Sequence, residues 1–235
     1  MTARKALRAA ASRPRRHEYS SSTRRALVDS ATRLFTERGY AGTSLDEIVA
    51  SARVTKGALY HHYAGKLGLF ENVVDRAQRA ATKKIDRALR RERDPWVRAE
   101  IGLRTFLEIC QEPTYRRIVM QEAPVALGPE RWREVERANT FGLVDKIVQD
   151  LMTDMDFDPD LVETFATIFY GAMRTAGVYV ADADDAEQAS TNVELVIGSI
   201  LAGLRNFAAT KTPARPEGGD EGQDDEPGSE PDEES

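Results

Sequence analysis

Residues 43–70 read TSLDEIVASARVTKGALYHHYAGKLGLF, and this stretch decides how the front of the chain folds. Ser44 followed three residues later by Glu47 matches a capping box, which predicts the start of a short helix. Thr55 can cap a second short helix that reaches Tyr63. Two short helices joined by a tight turn are the unit that presents a helix to the major groove of DNA. The sequence therefore predicts a helix-turn-helix over residues 44–63.

The second of these helices carries the side chains that we predict to meet DNA. Ile48, Val54 and Leu59 have the spacing to pack the two helices together, which leaves the other face of the second helix exposed. Lysine supplies a phosphate or guanine contact, small residues let the backbone approach the groove, and tyrosine or histidine can donate to phosphates or base edges. The predicted DNA-binding residues are Thr43, Ser44, Thr55, Lys56, Gly57, Ala58, Tyr60, His61, His62 and Lys66.

The distribution of charge supports this prediction, although the net charge of −6 at first argues against a nucleic-acid partner. Residues 211–235 hold ten acidic and two basic side chains, whereas residues 1–66 hold thirteen basic and five acidic ones. The acidity therefore belongs to the C-terminal end, and the N-terminal end carries a candidate phosphate-binding surface.

Outward from residues 43–70, nearly every segment has helical periodicity and none alternates as a strand does. We predict an all-α fold of about nine helices, with three short or medium helices in front and six behind. Asp94-Pro95 and Asp158-Pro159 each combine an N-cap with a proline at the first helical position. No apolar run is long enough to cross a bilayer, and the single cysteine, Cys110, favours a reducing cytoplasm.

The stretch from Thr23 to Phe70 resembles the DNA-binding domain of the TetR-type (TetR/AcrR) regulators. The run from Val54 to Tyr63, VTKGALYHHY, carries the resemblance, together with Gly39-Tyr40 before it and Lys66 after it. The resemblance implies phosphate contacts from Thr43, Tyr60 and Lys66, and base-edge contacts from Thr55, Lys56, Ala58 and His62. It also implies a repressor that acts as a homodimer on a pseudo-palindromic operator and responds to a small-molecule effector.

Two residues depart from the family pattern. Arg53 occupies the turn, where glycine is usual, and a non-glycine residue at positive φ costs about 1 kcal/mol. We therefore expect a modified turn rather than a lost motif. Tyr63 closes the second helix in place of the commoner phenylalanine, so its hydroxyl must reach the surface or find a partner.

On this basis we divide the chain into four parts. Residues 1–20 are predicted to be a disordered basic arm, residues 21–81 the helix-turn-helix domain, residues 82–210 a regulatory and dimerisation domain, and residues 211–235 a disordered acidic tail. Whether the arm is merely solvated or reaches an adjacent minor groove stays open. The last two helices carry broad apolar faces, and the resemblance implies that they form a four-helix interface between two copies.

The resemblance further implies an effector pocket inside the C-terminal helices. The predicted lining residues are Phe106, Leu107, Cys110, Met120, Phe141, Phe169 and Met173, although each of these also suits an ordinary core. Phenylalanine and methionine favour an apolar or aromatic effector. No cofactor is predicted.

Catalysis and metal binding are not expected. The only histidines are at positions 17, 61 and 62. A catalytic triad in the C-terminal half would therefore need a histidine from the DNA-binding end of the chain. His61 and His62 are adjacent in a helix and point about 100° apart, which does not suit a shared metal. The alternatives are a helical small-molecule binding protein or enzyme that retains the N-terminal fold, and an architectural DNA binder without an effector.

Overall fold

A computed structural model describes the backbone of residues 3–153 and 159–211, and within these the side chains of residues 20–139, 142–153 and 160–207. Over this range the chain forms nine α-helices and no strand, as predicted. The helices are α1 (Ala3–Arg38), α2 (Leu45–Ala52), α3 (Lys56–His62), α4 (Lys66–Leu89), α5 (Pro95–Gln111), α6 (Ala123–Glu136), α7 (Gly142–Thr153), α8 (Pro159–Asp182) and α9 (Ala186–Lys211). Two π-helical segments, Tyr115–Glu122 and Arg137–Phe141, precede and follow α6.

The short helices begin where the sequence predicts caps. The Ser44 hydroxyl accepts a hydrogen bond from the Glu47 backbone N–H at 3.2 Å, and the Glu47 carboxylate accepts one from the Ser44 backbone N–H at 2.8 Å. The Thr55 hydroxyl accepts from the Ala58 N–H at the start of α3. Asp94 does the same for α5, where Pro95 is the first residue. These side chains supply acceptors to N–H groups that the helix itself leaves unpaired.

Arg53 ends α2 in the left-handed conformation, with φ 56° and ψ 41°. Its backbone N–H donates to the Ala50 carbonyl, and the next N–H, from Val54, donates to the Val49 carbonyl at 3.1 Å. This pair of bonds is a Schellman motif, which turns the chain sharply at a helix end. Arg53 is the one non-glycine residue with positive φ in the described chain, so the motif is retained as predicted, but its turn has the ordinary left-handed geometry rather than a modified one.

The N-terminal core forms where α1–α3 meet the start of α4. Leu34, Phe35, Ile48 and Leu59 are almost fully buried, and Phe35 meets Phe70 edge to face at 5.1 Å between ring centroids. The same hydrophobic cluster continues along α4 into α5 and α8. The two halves therefore share a core through α4, and the predicted domain boundary after residue 81 falls inside this helix.

Two predictions about the helices differ from the structure. Residues 3–20, predicted as a disordered arm, instead continue α1 back to Ala3, with Pro14 inside the helix. Between Pro113 and Thr153, the prolines at positions 113, 124 and 129 predict a shorter helix followed by one long helix. The structure instead has α6 and α7 joined by a π-helical segment, with a kink at Gly128, whose φ is +76°. A glycine at positive φ followed by Pro129 breaks the helical path without a Cβ penalty.

Several predictions fall on residues outside the described part. These are the acidic tail from residue 212 onward, the Phe141 side chain, and Asp158 as the cap of α8. Among the described residues, no helix combines the length and apolar character needed to span a membrane.

Candidate nucleic-acid interface and regulatory cavity

The exposed face of α3 brings together most of the predicted DNA-binding residues. Lys56, Gly57 and His61 are exposed, Tyr60 is 55% exposed, and Leu59 on the opposite side is fully buried. A Cβ added to Gly57 would contact only the Thr55 hydroxyl, at 4.0 Å, so the space above this residue is open. This arrangement gives α3 one polar outer face and one apolar inner face, as a groove-reading helix requires.

The Lys56 ammonium is held by a carboxylate that the sequence reading did not single out. Its Nζ lies 2.7 Å from Asp46 Oδ1, and both side chains are more than half exposed. The hydrogen bond and charge of Asp46 raise the pKa of Lys56, so the lysine remains charged. DNA must replace this pair before Lys56 can contact a phosphate or a guanine.

The two threonines predicted to meet DNA occupy different places. Thr43 is 1% exposed, and its hydroxyl donates to the Leu34 and Gly39 carbonyls at 3.2 and 2.9 Å. Its hydroxyl thus lies beneath the exposed face and fixes the α1–α2 connection, whereas the predicted phosphate contact of this residue stays a prediction. Thr55 is exposed, and its oxygen caps α3 while its methyl group stays free.

The end of α3 is fixed by its last aromatic residue. Tyr63 is 7% exposed. Its hydroxyl accepts a hydrogen bond from Arg24 Nε and donates one to Asn72 Oδ1, both at 3.4 Å. The partner that the sequence required for this hydroxyl is therefore present. Burial lowers the pKa of His62, and the charges of His61 and Arg24 lower it further. The His62 ring is consequently neutral near pH 7 and offers one donor and one acceptor.

Lys66 opens α4 beside this surface. The N-cap residue Gly65 has φ 96° and provides no side-chain cap, and Lys66 Nζ lies 4.4 Å from the centroid of the Tyr40 ring. The Tyr40 ring holds the Lys66 ammonium in a fixed position near the N-terminus of α4. A negatively charged group such as a phosphate is favoured at this end of a helix. Lys66 therefore has the location that a phosphate contact needs.

A cavity of about 70 Å³ lies within the C-terminal helices. Four of the seven predicted residues line it, namely Phe106, Met120, Phe169 and Met173. Leu107 and Cys110 are fully buried but do not line it, although Cys110 Sγ lies near Gly177 together with the lining residues Phe106 and Met120. Burial raises the pKa of the Cys110 thiol to about 12, so this group is an inert core residue.

The sequence reading missed the polar part of the cavity wall. Gln78 Oε1 accepts a hydrogen bond from the Tyr115 hydroxyl at 3.1 Å, and both residues line the cavity. Glu136 is 7% exposed, and the Tyr170 hydroxyl donates to its carboxyl group. Trp132 lies one helical turn before Glu136 on α6. The i, i+4 spacing of these two residues in the stretch RWREVE was the sequence signal that they share one face of the helix.

One wall of the cavity also touches the N-terminal domain. The π-helical segment Tyr115–Glu122 contributes Tyr115, Val119 and Met120 to the cavity. At its end, Glu122 accepts a hydrogen bond from the Tyr40 backbone N–H at 3.2 Å and pairs with Arg117 at 3.0 Å. The segment therefore connects the cavity directly to the α1–α2 connection.

An all-α fold with a helix-turn-helix at its front, an exposed polar helix and a separate internal cavity defines a DNA-binding regulator of the one-component type. Residues 27–73 match the family model described as bacterial regulatory proteins, tetR family, and residues 96–204 match a tetracyclin repressor-like C-terminal domain. The chain belongs to the TetR family of bacterial transcriptional regulators.

Individual relatives agree with this assignment. The transposon Tn10 TetC protein of Escherichia coli is 30% identical over 155 residues, covering 62% of this chain and 75% of that protein. The biofilm operon negative transcriptional regulator IcaR of Staphylococcus epidermidis is 30% identical over 52% of this chain and 66% of its own length. A TetR-family regulator of Pectobacterium atrosepticum superposes with a TM-score of 0.68 and 28% identity, covering 80% of this chain and 96% of that one.

Proposed function

We propose that this protein is a repressor that binds a pseudo-palindromic operator as a homodimer and is released from it by a small-molecule effector. The exposed face of α3 carries the proposal, because Lys56, Tyr60 and His61 project from a helix whose inner face is locked by Leu59. IcaR, a relative over half of this chain, is named as a negative regulator. We assign no cofactor and no catalytic role, and we place the protein in the cytoplasm with the DNA.

The homodimer is supported by an apolar surface on α8 and α9 that no described part of the chain covers. Leu161 and Ile168 on α8 are 57% and 67% exposed, and Val196 and Ile200 on α9 are 61% and 52% exposed. Gly171, Gly198 and Gly203 would meet no atom within 4 Å if a Cβ were added, so this surface permits close helix approach. Gly177, in contrast, packs against Met120, Phe106 and Cys110 within the chain. A contiguous exposed apolar surface of this kind favours burial against a second copy.

An effector response is supported by the contact between the cavity segment and the N-terminal domain. Met120 and Val119 line the cavity, so a ligand that expands it on this side displaces them, and Glu122 lies in the same segment and accepts from Tyr40 N–H. Tyr40 in turn holds Lys66 over its ring. A ligand that binds the two arrangements of this segment with different affinity therefore shifts the position of α3 and α4 on the operator.

The test is binding of the purified full chain to DNA that flanks its own gene, in a gel-shift titration with unrelated DNA as competitor. We expect Tyr60→Ala and Lys56→Ala each to weaken specific binding about 10-fold or more, since one well-placed contact contributes about 1–3 kcal/mol. Lys146→Ala removes an equally exposed lysine from α7 and should leave binding unchanged. Unaltered affinity in both α3 variants would remove α3 as the reading helix.

Salt dependence provides a second measurement. Each lost phosphate contact reduces the slope of log K against log salt by about 1. We expect a smaller slope for the variant that loses a phosphate contact, and an unchanged slope with altered sequence preference for one that loses a base contact.

A further inference from the structure

The cavity contains a buried hydrogen-bond donor that has no partner. Trp132 is 6% exposed and lines the cavity, and its indole Nε1 is buried without a hydrogen bond. The indole N–H lies near enough to the Glu136 carboxyl to lower its pKa, yet the two groups do not reach hydrogen-bonding geometry. A buried donor that is left unpaired is unfavourable, so a ligand that pairs with it is favoured.

Beside this donor lies an acceptor. The Glu136 carboxyl accepts from the Tyr170 hydroxyl and retains further lone pairs. Burial raises the pKa of Glu136, and the Tyr170 and Arg174 side chains counteract this effect. A carboxyl oxygen remains an acceptor in either protonation state, so the wall presents one free donor and one available acceptor side by side on α6.

Most of the remaining lining is apolar, which restricts the body of the ligand, and its other polar residues are Gln78, Tyr115, Tyr170 and the exposed Arg174. Ile85, Leu103, Phe106, Ile147 and Met173 surround the space opposite Glu136. These apolar side chains favour a compact hydrocarbon or aromatic body for the part of the ligand that they contact.

We propose that the effector is an uncharged apolar molecule bearing a hydroxyl group, a phenol or a cyclic alcohol, whose oxygen accepts from Trp132 Nε1–H and whose O–H donates to Glu136. This inference rests on the proposed effector response and specifies its chemistry. A carboxylate lacks the proton that Glu136 requires, and an ammonium lacks the lone pair that the indole requires. A hydroxyl provides both.

The size of the cavity indicates how such a ligand acts. The volume of about 70 Å³ is smaller than the cavity of roughly 150 Å³ that accommodates benzene in an apolar protein core. Entry therefore needs displacement of flexible side chains, of which Met120 and Met173 are the most adaptable. Since Met120 belongs to the segment that ends at Glu122, the same displacement reaches Tyr40.

The experiment measures binding to the full chain by isothermal titration calorimetry, with phenol and cyclohexanol against toluene, benzoate and benzylammonium. We expect both hydroxyl compounds to bind at least 10-fold more tightly than the other three. Equal affinity for phenol and toluene overturns the inference, as does preference for either ion or the absence of binding by both hydroxyl compounds. This panel uses the unmodified protein and does not depend on the folding of any variant.

Variants then locate the contact. Trp132→Phe keeps the ring but removes the N–H, so we expect phenol to bind about 3- to 10-fold more weakly and toluene to bind unchanged. Trp96→Phe is the matched control, because Trp96 stacks near Arg205 and does not line the cavity. Glu136→Gln keeps an acceptor oxygen and should weaken phenol binding less than Glu136→Leu. An unchanged phenol affinity in Trp132→Phe overturns the assignment.

Operator binding by the ligand-free protein separates this inference from the proposed function. If the ligand panel shows no preference for the hydroxyl compounds while specific operator binding is retained, the inference of a hydroxyl-bearing effector is wrong. The proposed DNA-binding function then still stands. If operator binding itself is absent, the proposed function fails regardless of what the cavity binds.

Discussion

The backbone N–H of Tyr40 donates to Glu122 Oε2 at 3.2 Å, which joins the α1–α2 connection to the segment lining the cavity. Gly39, the residue before it, sits directly against the same side chains. A Cβ at Gly39 would lie 2.5 Å from Glu122 Oε1 and 2.7 Å from Arg117 Nη2, and the backbone there has φ +73°. The backbone conformation therefore favours glycine at this position, and a Cβ would also displace the ends of the Glu122 and Arg117 side chains.

We expect Gly39→Ala to lower the free energy of unfolding by about 1–2 kcal/mol, since alanine is strained at positive φ and displaces the Glu122–Arg117 pair. Gly68→Ala is the matched control. Gly68 lies within α4 and its added Cβ would meet only Ala64, at 4.0 Å, so alanine should stabilise by up to about 1 kcal/mol through helix propensity. Urea unfolding measures both, and a shift in the same direction for the two variants contradicts this account.

Asp46→Asn should strengthen operator binding a few-fold, because Asp46 both holds Lys56 at 2.7 Å and repels phosphate. The measurement is a fluorescence-anisotropy titration with labelled operator at low salt, where exposed charges are least screened. Asp150→Asn makes the same change in an exposed ion pair with Arg98 in the C-terminal half and should have no effect. Weaker binding by Asp46→Asn would mean that the ion pair holds Lys56 in the position that contacts DNA, rather than keeping it from that contact.

Arg53→Gly should stabilise the protein by about 1 kcal/mol, because glycine adopts the left-handed conformation at φ 56° without strain. Ala50→Gly, an exposed helical position three residues earlier, should instead destabilise it by about 1 kcal/mol. Thermal unfolding followed by circular dichroism distinguishes the two. A lower melting temperature for Arg53→Gly would mean that the arginine side chain stabilises the protein by more than its left-handed backbone conformation destabilises it.

Ile200→Glu should convert the proposed dimer to a monomer, since it places a charge on the exposed apolar face of α9. Light scattering after gel filtration should give twice the chain mass of 26.1 kDa for the unmodified protein and the single mass for the variant. Val125→Glu changes a residue that is 84% exposed on α6 and should remain dimeric. A dimeric Ile200→Glu protein would exclude this face as the interface.

Glu136→Gln should raise the melting temperature at pH 7.5 by a few °C, given that 1 kcal/mol corresponds to about 2–4 °C in a chain of this size. Burial raises the pKa of Glu136 in the folded state. A carboxyl group whose pKa is raised in the folded state stabilises the protein below its unfolded pKa, and this contribution is lost as the pH rises through its folded pKa. Ionised Glu136 therefore lowers the stability of the folded protein near neutral pH. The difference between the two proteins should shrink as the pH falls toward about 4. A difference that is constant with pH contradicts this cause.

The sequence by itself determined the helical fold, the caps at Ser44, Thr55 and Asp94, and the exposed face of α3. These features depend on spacing within a few residues, and such local spacing is fixed once the helix period is known. The turn at Arg53 and the need of the Tyr63 hydroxyl for a partner were predictable for the same reason.

Only the tertiary structure decided which groups far apart in the chain meet. It placed Thr43 in the core, paired Tyr40 with Glu122, and brought Glu136 on α6 to Tyr170 on α8. It also divided the apolar residues of α8 and α9 between the core and the open face. Side-chain contacts between helices depend on their crossing and rotation, which packing of the whole core sets and which no local pattern contains.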